Sequence, residues 1–166
     1  VAIKGQLSSS TDKDYYKITT SGAGTIAITF DAPTNNSYTD YFKLNLTDSS
    51  GTVLAAQDTG KDTSFSAGVG SAGTYYVSID SGRSTYGSVY HDSGEYSVTA
   101  TTTTGNLSGV ETEDNNTQSN ADSITSGVAI KGQLSSSTDK DYYKITTSGA
   151  GTIAITFDAP TNNSYT

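Results

Sequence analysis

Hydrophobic and polar residues alternate with a period of two along most of the first hundred positions. The clearest runs are residues 15–19, 25–30, 74–79 and 95–100. This alternation places apolar side chains on one face of an extended chain, which is typical of half-buried β-strands. Further strands are predicted at residues 2–7, 41–46, 53–56 and, more weakly, 64–67. Helical spacing of apolar residues is absent throughout, so the pattern predicts an all-β protein.

Turn signals separate these predicted strands. Residues 21–24, Ser-Gly-Ala-Gly, predict a hairpin between strands 15–19 and 25–30, and residues 48–51, Asp-Ser-Ser-Gly, predict a second turn. Residues 31–40 and 80–94 are expected to be loops. About eight short strands at this spacing indicate an antiparallel β-sandwich or jelly roll.

An internal repeat defines the domain organisation. Residues 1–39 recur without a change at 128–166, so the period is 128 − 1 = 127 residues. A period of this length fits a tandem array of whole domains. We therefore expect a β-sandwich repeat domain at 1–104 and an acidic interdomain linker at 105–127. Residues 128–166 are then the first three strands of the next identical repeat, which are too few to close a sandwich.

Composition narrows the class of function. The net charge of −8 and the pI of about 4.3 argue against nucleic-acid binding, and the absence of cysteine excludes disulfides and cysteine-based metal sites. Leu, Ile, Val and Phe are scarce, so a disordered Ser/Thr/Gly-rich chain is an alternative. The alternating tyrosines and threonines favour a folded domain, because both residue types suit a pleated surface.

Two groups of oxygen-bearing side chains are candidates for binding a cation. The linker carries Glu111, Glu113, Asn115 and Asn116, and the loop after residue 134 carries Asp139 and Asp141. Calcium is bound by six to eight oxygen ligands from carboxylates, amides and the backbone, and a linker folded against that loop would supply them. The alternative is that these acids merely solvate a linker and a turn.

The same segments carry a family resemblance. Residues 111–116 (Glu-Thr-Glu-Asp-Asn-Asn), 121–124 (Ala-Asp-Ser-Ile), 128–132, 139–143 (Asp-Lys-Asp-Tyr-Tyr) and 94–98 are similar to the bacterial pre-peptidase C-terminal (PPC) domain. Relatives of that family include the collagen-binding domains of clostridial collagenases.

The resemblance implies a calcium-binding jelly roll whose N-terminal linker provides ligands. By position, these are Glu111, Glu113, Asn115, Asn116, Asp139 and Asp141. Asn116 stands where the family commonly has an aspartate, which weakens the charge of the site. The first copy of the loop, with Asp12 and Asp14, has no linker before it in this sequence, and we expect that half-site to be empty or poorly occupied.

The function expected from these features is structural. We interpret the chain as a calcium-stabilised extender repeat of a large secreted bacterial surface protein or adhesin, outside the cell and not an enzyme. The rival interpretation is a module that binds collagen, polysaccharide or another surface beside a secreted hydrolase. Tyrosines on the strands and at 86–90 could form such a binding face, or could replace scarce Leu and Val in the core. His91, the single histidine, is more simply a loop residue than part of a catalytic triad.

The second copy of the repeated stretch lacks the strands that would follow it. Residues 128–166 could replace 1–39 in the same sandwich, or could complete a sandwich in another copy of the chain. We hypothesise intermolecular strand exchange, because the linker can direct the second copy outward. The expected partners are therefore neighbouring repeats and other copies of the same protein, with an extracellular glycan or protein ligand as a further candidate.

Overall fold

The computed structural model describes residues 1–35, 41–83, 89–105, 107 and 109–159. The strands, in chain order, are β1 (Ile3–Gly5), β2 (Lys13–Thr20), β3 (Gly24–Asp31), β4 (Phe42–Thr47), β5 (Val53–Thr59), β6 (Thr63–Val69), β7 (Gly73–Arg83), β8 (Val89–Tyr90), β9 (Tyr96–Thr104), β10 (Asp122–Ser123) and β11 (Tyr143–Lys144). One 3-10 turn, Gln118–Asn120, lies in the linker. Among these residues no helix is long and apolar enough to cross a bilayer.

Strands β1 to β9 form two antiparallel sheets. One sheet has the order β1-β9-β3-β6, and the other has the order β2-β7-β4-β5 with β8 added to β7. Apolar side chains from both sheets share one core, so the predicted all-β sandwich is confirmed. The edge strands β5 and β6 follow each other along the chain, and they carry the contacts to the linker that are described below.

The turn at Asp48 forms as predicted. Its carboxylate accepts hydrogen bonds from the backbone N–H groups of Ser50 (2.8 Å) and Thr52 (2.9 Å), and β4 and β5 pair on either side. The predicted hairpin of β2 and β3 is wrong. In the described structure β2 pairs with β7, and β3 lies between β6 and β9. Both strands bury an apolar face in the shared core, so the short connection carries the chain from one sheet to the other.

The core centres on β3 and an aromatic cluster. Ile26, Ile28 and Phe30 alternate along β3 and are fully buried. The ring of Phe30 lies 5.0 Å from that of Phe42 and 5.4 Å from that of Tyr96, between ring centroids. Tyrosines therefore contribute to the core, in agreement with the expectation that they replace scarce Leu and Val there.

The loop predicted at residues 80–94 is partly wrong. β7 continues to Arg83, and Val89–Tyr90 returns beside it as β8, with Gly82 opposite Tyr90. Cross-strand pairing extends the sheet here, although the sequence has no alternating apolar pattern. The expected tyrosine face at 86–90 includes Tyr86, which lies outside the described residues, as do positions 36–40 of the other predicted loop.

The second copy of the repeated stretch differs from the first. Three strands were predicted there, but within residues 128–159 only Tyr143–Lys144 forms a strand, in parallel with β10. Ile155 is 74% exposed and Phe157 is 85% exposed, whereas Ile28 and Phe30, their counterparts in the first copy, are fully buried. Strands need partners for independent stability, and in the described structure the second copy pairs with no strand beyond the two residues of β10. The prediction of three strands is therefore wrong for the described chain.

Candidate metal centre

The linker runs alongside the start of the second copy. Val110 and Lys131 form a parallel bridge in which Glu111 N–H donates to the Lys131 carbonyl and Lys131 N–H donates to the Gly109 carbonyl, both at 3.0 Å. Further along, the N–H of Tyr142 donates to the Asn115 carbonyl at 3.1 Å. These backbone hydrogen bonds hold the acidic part of the linker against the loop that precedes β11.

Asp122 fixes the shape of the linker. Its carboxylate accepts hydrogen bonds from the N–H and the hydroxyl of Thr112, both at 2.8 Å, and from the side-chain amide of Asn115 at 3.3 Å. Because the Asn115 nitrogen faces Asp122, the amide oxygen Oδ1 points elsewhere. Asp122 thus sets which end of the Asn115 side chain is available to a ligand.

Three carboxylates meet between the linker and the loop. Glu111, Glu113 and Asp141 each offer an oxygen, and these oxygens lie within 4.8 Å of one another. Both carboxylate oxygens of Glu111 also accept hydrogen bonds: the N–H of Gln133 donates to Oε1, and the hydroxyl of Tyr143 donates to Oε2 at 2.6 Å. We call this group, together with Asn115, the acidic cluster.

Several oxygens of the acidic cluster are buried without a hydrogen-bond donor. They are Oε1 of Glu113, Oδ1 of Asn115 and Oδ1 of Asp141, and Asn115 is fully buried. Buried polar atoms are nearly always paired, since an unpaired one costs about 1–3 kcal/mol. Three acceptors of the cluster are therefore unpaired, and no ion pair to the cluster is found among the described residues, so no cationic side chain balances the charge of its carboxylates.

The pKa values of the three carboxyl groups in the acidic cluster are all raised. Burial, followed by the charge of Asp139, raises the pKa of Glu113 to about 7. Burial, followed by the charge of Asp139, also raises the pKa of Asp141, and burial raises that of Glu111. Without a cation, therefore, these carboxyl groups ionise less readily in the cluster than they would in water.

Asp139 has a local role that the first copy of the loop reveals. Its carboxylate accepts hydrogen bonds from the N–H (2.6 Å) and hydroxyl (2.8 Å) of Ser135 and from the N–H of Lys140 (2.9 Å). In the first copy, Asp12 accepts the equivalent hydrogen bonds from Ser8 and Lys13. These hydrogen bonds therefore belong to the loop itself, and Asp139 acts on the cluster mainly through its charge.

Both polar atoms of the Asn116 side chain form hydrogen bonds with partners other than the three carboxylates. Its Oδ1 accepts a hydrogen bond from the N–H of Lys140 at 2.8 Å, and its nitrogen donates to Asp114 at 2.9 Å. Of the six residues expected at the site, the structure brings together Glu111, Glu113, Asn115 and Asp141. Asp139 lies beside them, and the side-chain oxygen of Asn116 is occupied by the loop backbone.

In the first copy, the hydroxyl of Tyr96 takes the position that the Glu111 carboxylate has in the second copy. Asp14, the counterpart of Asp141, accepts a hydrogen bond from the hydroxyl of Tyr96, which also lies 2.8 Å from the hydroxyl of Tyr16. Among the described residues, Glu111, Glu113 and Asp141 are the one group of three acidic side chains that could hold a metal ion. The identical loop therefore becomes a candidate metal site only where the linker joins it.

Sequence reasoning missed three residues that shape the cluster: Asp122, Gln133 and Tyr143. Asp122 and Tyr143 lie within segments that carry the family resemblance, so their position was a usable signal. Gln133 contributes its backbone N–H to Glu111. A backbone contact of this kind leaves no trace in residue type.

Comparisons with known proteins find similarity to a solved structure but to no family model. No family model matches the chain, and a search of curated proteins finds no match. The chain is similar to a crystal structure of the pre-peptidase C-terminal domain of collagenase from Bacillus anthracis, with 22% identity and a TM-score of 0.42. The match covers 61% of this chain and 88% of that one. This structural neighbour belongs to the family that the sequence resembles.

Proposed function

We propose that the chain is a structural repeat whose joint with the next repeat binds one calcium ion. The observation that carries this proposal is the set of buried, donorless oxygens on Glu113, Asn115 and Asp141. A cation would satisfy all three at once and would neutralise carboxylates that burial otherwise makes costly to ionise.

The chemistry of the donors favours calcium. All of the cluster's candidate ligands are oxygens from carboxylates and one amide, with no His or Cys in the group. Such hard ligands suit calcium or magnesium, and calcium accepts the larger and less regular ligand set that a linker and a loop would provide. Glu111, Glu113, Asn115 and Asp141 would hold the ion, with Asp139 adding negative charge nearby.

The structural role follows from repetition and from where the cluster lies. Residues 1–39 and 128–166 are identical, and the cluster joins the linker to the start of the second copy. In an array of such repeats, length comes from copy number, and a bound ion at each joint would limit bending. We place this repeat in a secreted bacterial surface protein or adhesin, since extracellular modules commonly use calcium at Kd values of roughly 10⁻⁴–10⁻³ M.

Calorimetric titration of the whole chain with calcium tests the site. We expect one ion to bind, and Asp141→Asn to weaken binding at least about tenfold by removing a ligand charge. Asp14→Asn is the matched control, because it changes the same loop in the copy without a linker, and it should bind like the wild type. No binding by the wild-type chain, or equal losses in both variants, would overturn the proposed site.

Glycan and collagen arrays test the structural role separately. An extender repeat should give no reproducible ligand with calcium present. A single reproducible ligand would favour the rival function, in which the repeat is a surface-binding module beside a secreted hydrolase.

A further inference from the structure

The linker and the second copy contact the first sandwich at its paired edge strands. Thr112 forms a parallel bridge with Gly68 near the end of β6. The side chain of Gln133 forms two hydrogen bonds with the backbone of Ala56 in β5: Ala56 N–H donates to Oε1 at 3.1 Å, and Nε2 donates to the Ala56 carbonyl at 2.6 Å. Each sheet of the sandwich thus offers one edge to the joint.

Gln133 satisfies the edge of β5 as an added strand would. An edge strand exposes unpaired N–H and C=O groups, and these can pair with another chain. The carboxamide of Gln133 has the same donor and acceptor as a peptide group, so it pairs with both backbone groups of Ala56 at once. Gln6, its counterpart in the first copy, instead donates to the carbonyl of Ser93. The contact to Ala56 is therefore a property of the joint and not of the local sequence.

Gly68 is shaped to receive the linker. A Cβ atom at this position would collide with the carbonyl oxygen of Glu111. Gly70, two residues further on, has open space around the equivalent position. The close approach at Gly68 lets the backbone of Glu111 lie directly over β6.

The docking contacts and the acidic cluster share residues. Glu111 places its backbone over Gly68 and its carboxylate in the cluster, where that carboxylate accepts a hydrogen bond from the N–H of Gln133. The residues that reach the first sandwich are therefore also residues that a bound cation would order.

We propose that the β5–β6 edge of one repeat is the docking surface for the linker and first segment of the following repeat, and that cation binding strengthens this docking. The partner is an identical domain of the same protein, engaged through Gln133 on Ala56 and the linker on Gly68. The docking rests on the contacts above, and its strengthening by a cation rests on the proposed function.

Hydrogen exchange at the Ala56 amide in the whole chain tests the docking. Gln133→Ala should speed exchange on the order of tenfold, because two hydrogen bonds to Ala56 are lost. Gln6→Ala, the same change in the first copy, should leave it unchanged. Gly68→Ala should also speed exchange, whereas Gly70→Ala should not. The Ile28 amide, in the centre of a sheet, reports whether each variant is still folded.

The outcomes separate the two parts of the proposal. Unchanged exchange at Ala56 in both Gln133→Ala and Gly68→Ala would overturn the docking, even if calcium binds. Faster exchange in these variants with chelator present would support docking even if no cation binds. A wild-type chain that binds calcium but exchanges Ala56 equally with calcium and with chelator would overturn the strengthening.

Discussion

Ile28 and its counterpart Ile155, at the same position in the two copies of the repeated stretch, allow a controlled test of the fold. Ile28 lies in β3 between Phe65 and Ala100 and is fully buried, whereas Ile155 is 74% exposed. The sequences around them are identical, so changes in strand propensity or in the unfolded chain affect both sites alike. A difference between Ile28→Ala and Ile155→Ala therefore measures the environment alone.

The expected cost of Ile28→Ala is about 3–4 kcal/mol of unfolding free energy. Loss of three carbons at about 0.8 kcal/mol each gives about 2.4 kcal/mol, and the cavity left in the core adds the remainder. Thermal melting should show a fall on the order of 10–20 °C in Tm. Ile155→Ala should stay within about 0.5 kcal/mol of the wild type, as exposed substitutions usually do.

Equal or reversed costs would refute this account of the core. If 128–159 exchanges into a sandwich, in its own chain or another, Ile28→Ala alone would cost little, because the intact second copy could replace the first. The double variant would then show the full loss. A melting temperature that rises with protein concentration would assign the exchange to separate chains, so the same variants test the hypothesis of strand exchange.

Three further predictions concern the joint and the turns. Calcium affinity should fall about tenfold from pH 8 to pH 6 in calorimetric titrations, because the pKa of Glu113 is raised to about 7 and protons compete with the ion. With chelator present, the free energy of unfolding should instead be higher at low pH. The contribution of Glu113 to stability is fully present below about pH 4.5 and is lost as the pH rises through about 7. Asp122→Ala should weaken calcium binding about 10- to 100-fold by releasing Thr112 and the Asn115 amide, and an unchanged affinity would show that Asp122 does not shape the site. Gly24→Ala should cost about 1–3 kcal/mol in denaturant unfolding, because its Cβ would collide with the Thr103 backbone, while Gly151→Ala, in open space, should cost nothing measurable.

Local patterns in the sequence predicted local structure well. Alternation located β2, β3, β4 and β9, and the Asp48 turn formed as its residue types indicate. The pairing of strands was harder, because β2 and β3 are close in sequence yet belong to different sheets. Pairing depends on which distant strands share a core, and turn residues do not record that information.

The candidate site shows the same division between local and distant information. The acids of the linker and loop were visible in the sequence, but the separate roles of Asp139 and Asp141 were not. Both are aspartates in one short loop, but Asp139 accepts hydrogen bonds from Ser135, whereas an oxygen of Asp141 lies with those of Glu111 and Glu113. The exposure of Ile155 could not be predicted by comparison with Ile28, since the two sequences are identical.

The place of β9 in its sheet has a consequence for how the sandwich folds. This last strand of the sandwich lies between β1 and β3. Until residues 96–104 are available, β1 has no neighbouring strand in the sheet, and β3 can pair only with β6. Folds with such distant pairings form slowly, over roughly milliseconds to seconds. In an array of identical repeats, the vacant place beside β3 would accept the β9 strand of any repeat. We therefore expect the interval before β9 arrives to be the stage at which neighbouring repeats are most prone to misassembly.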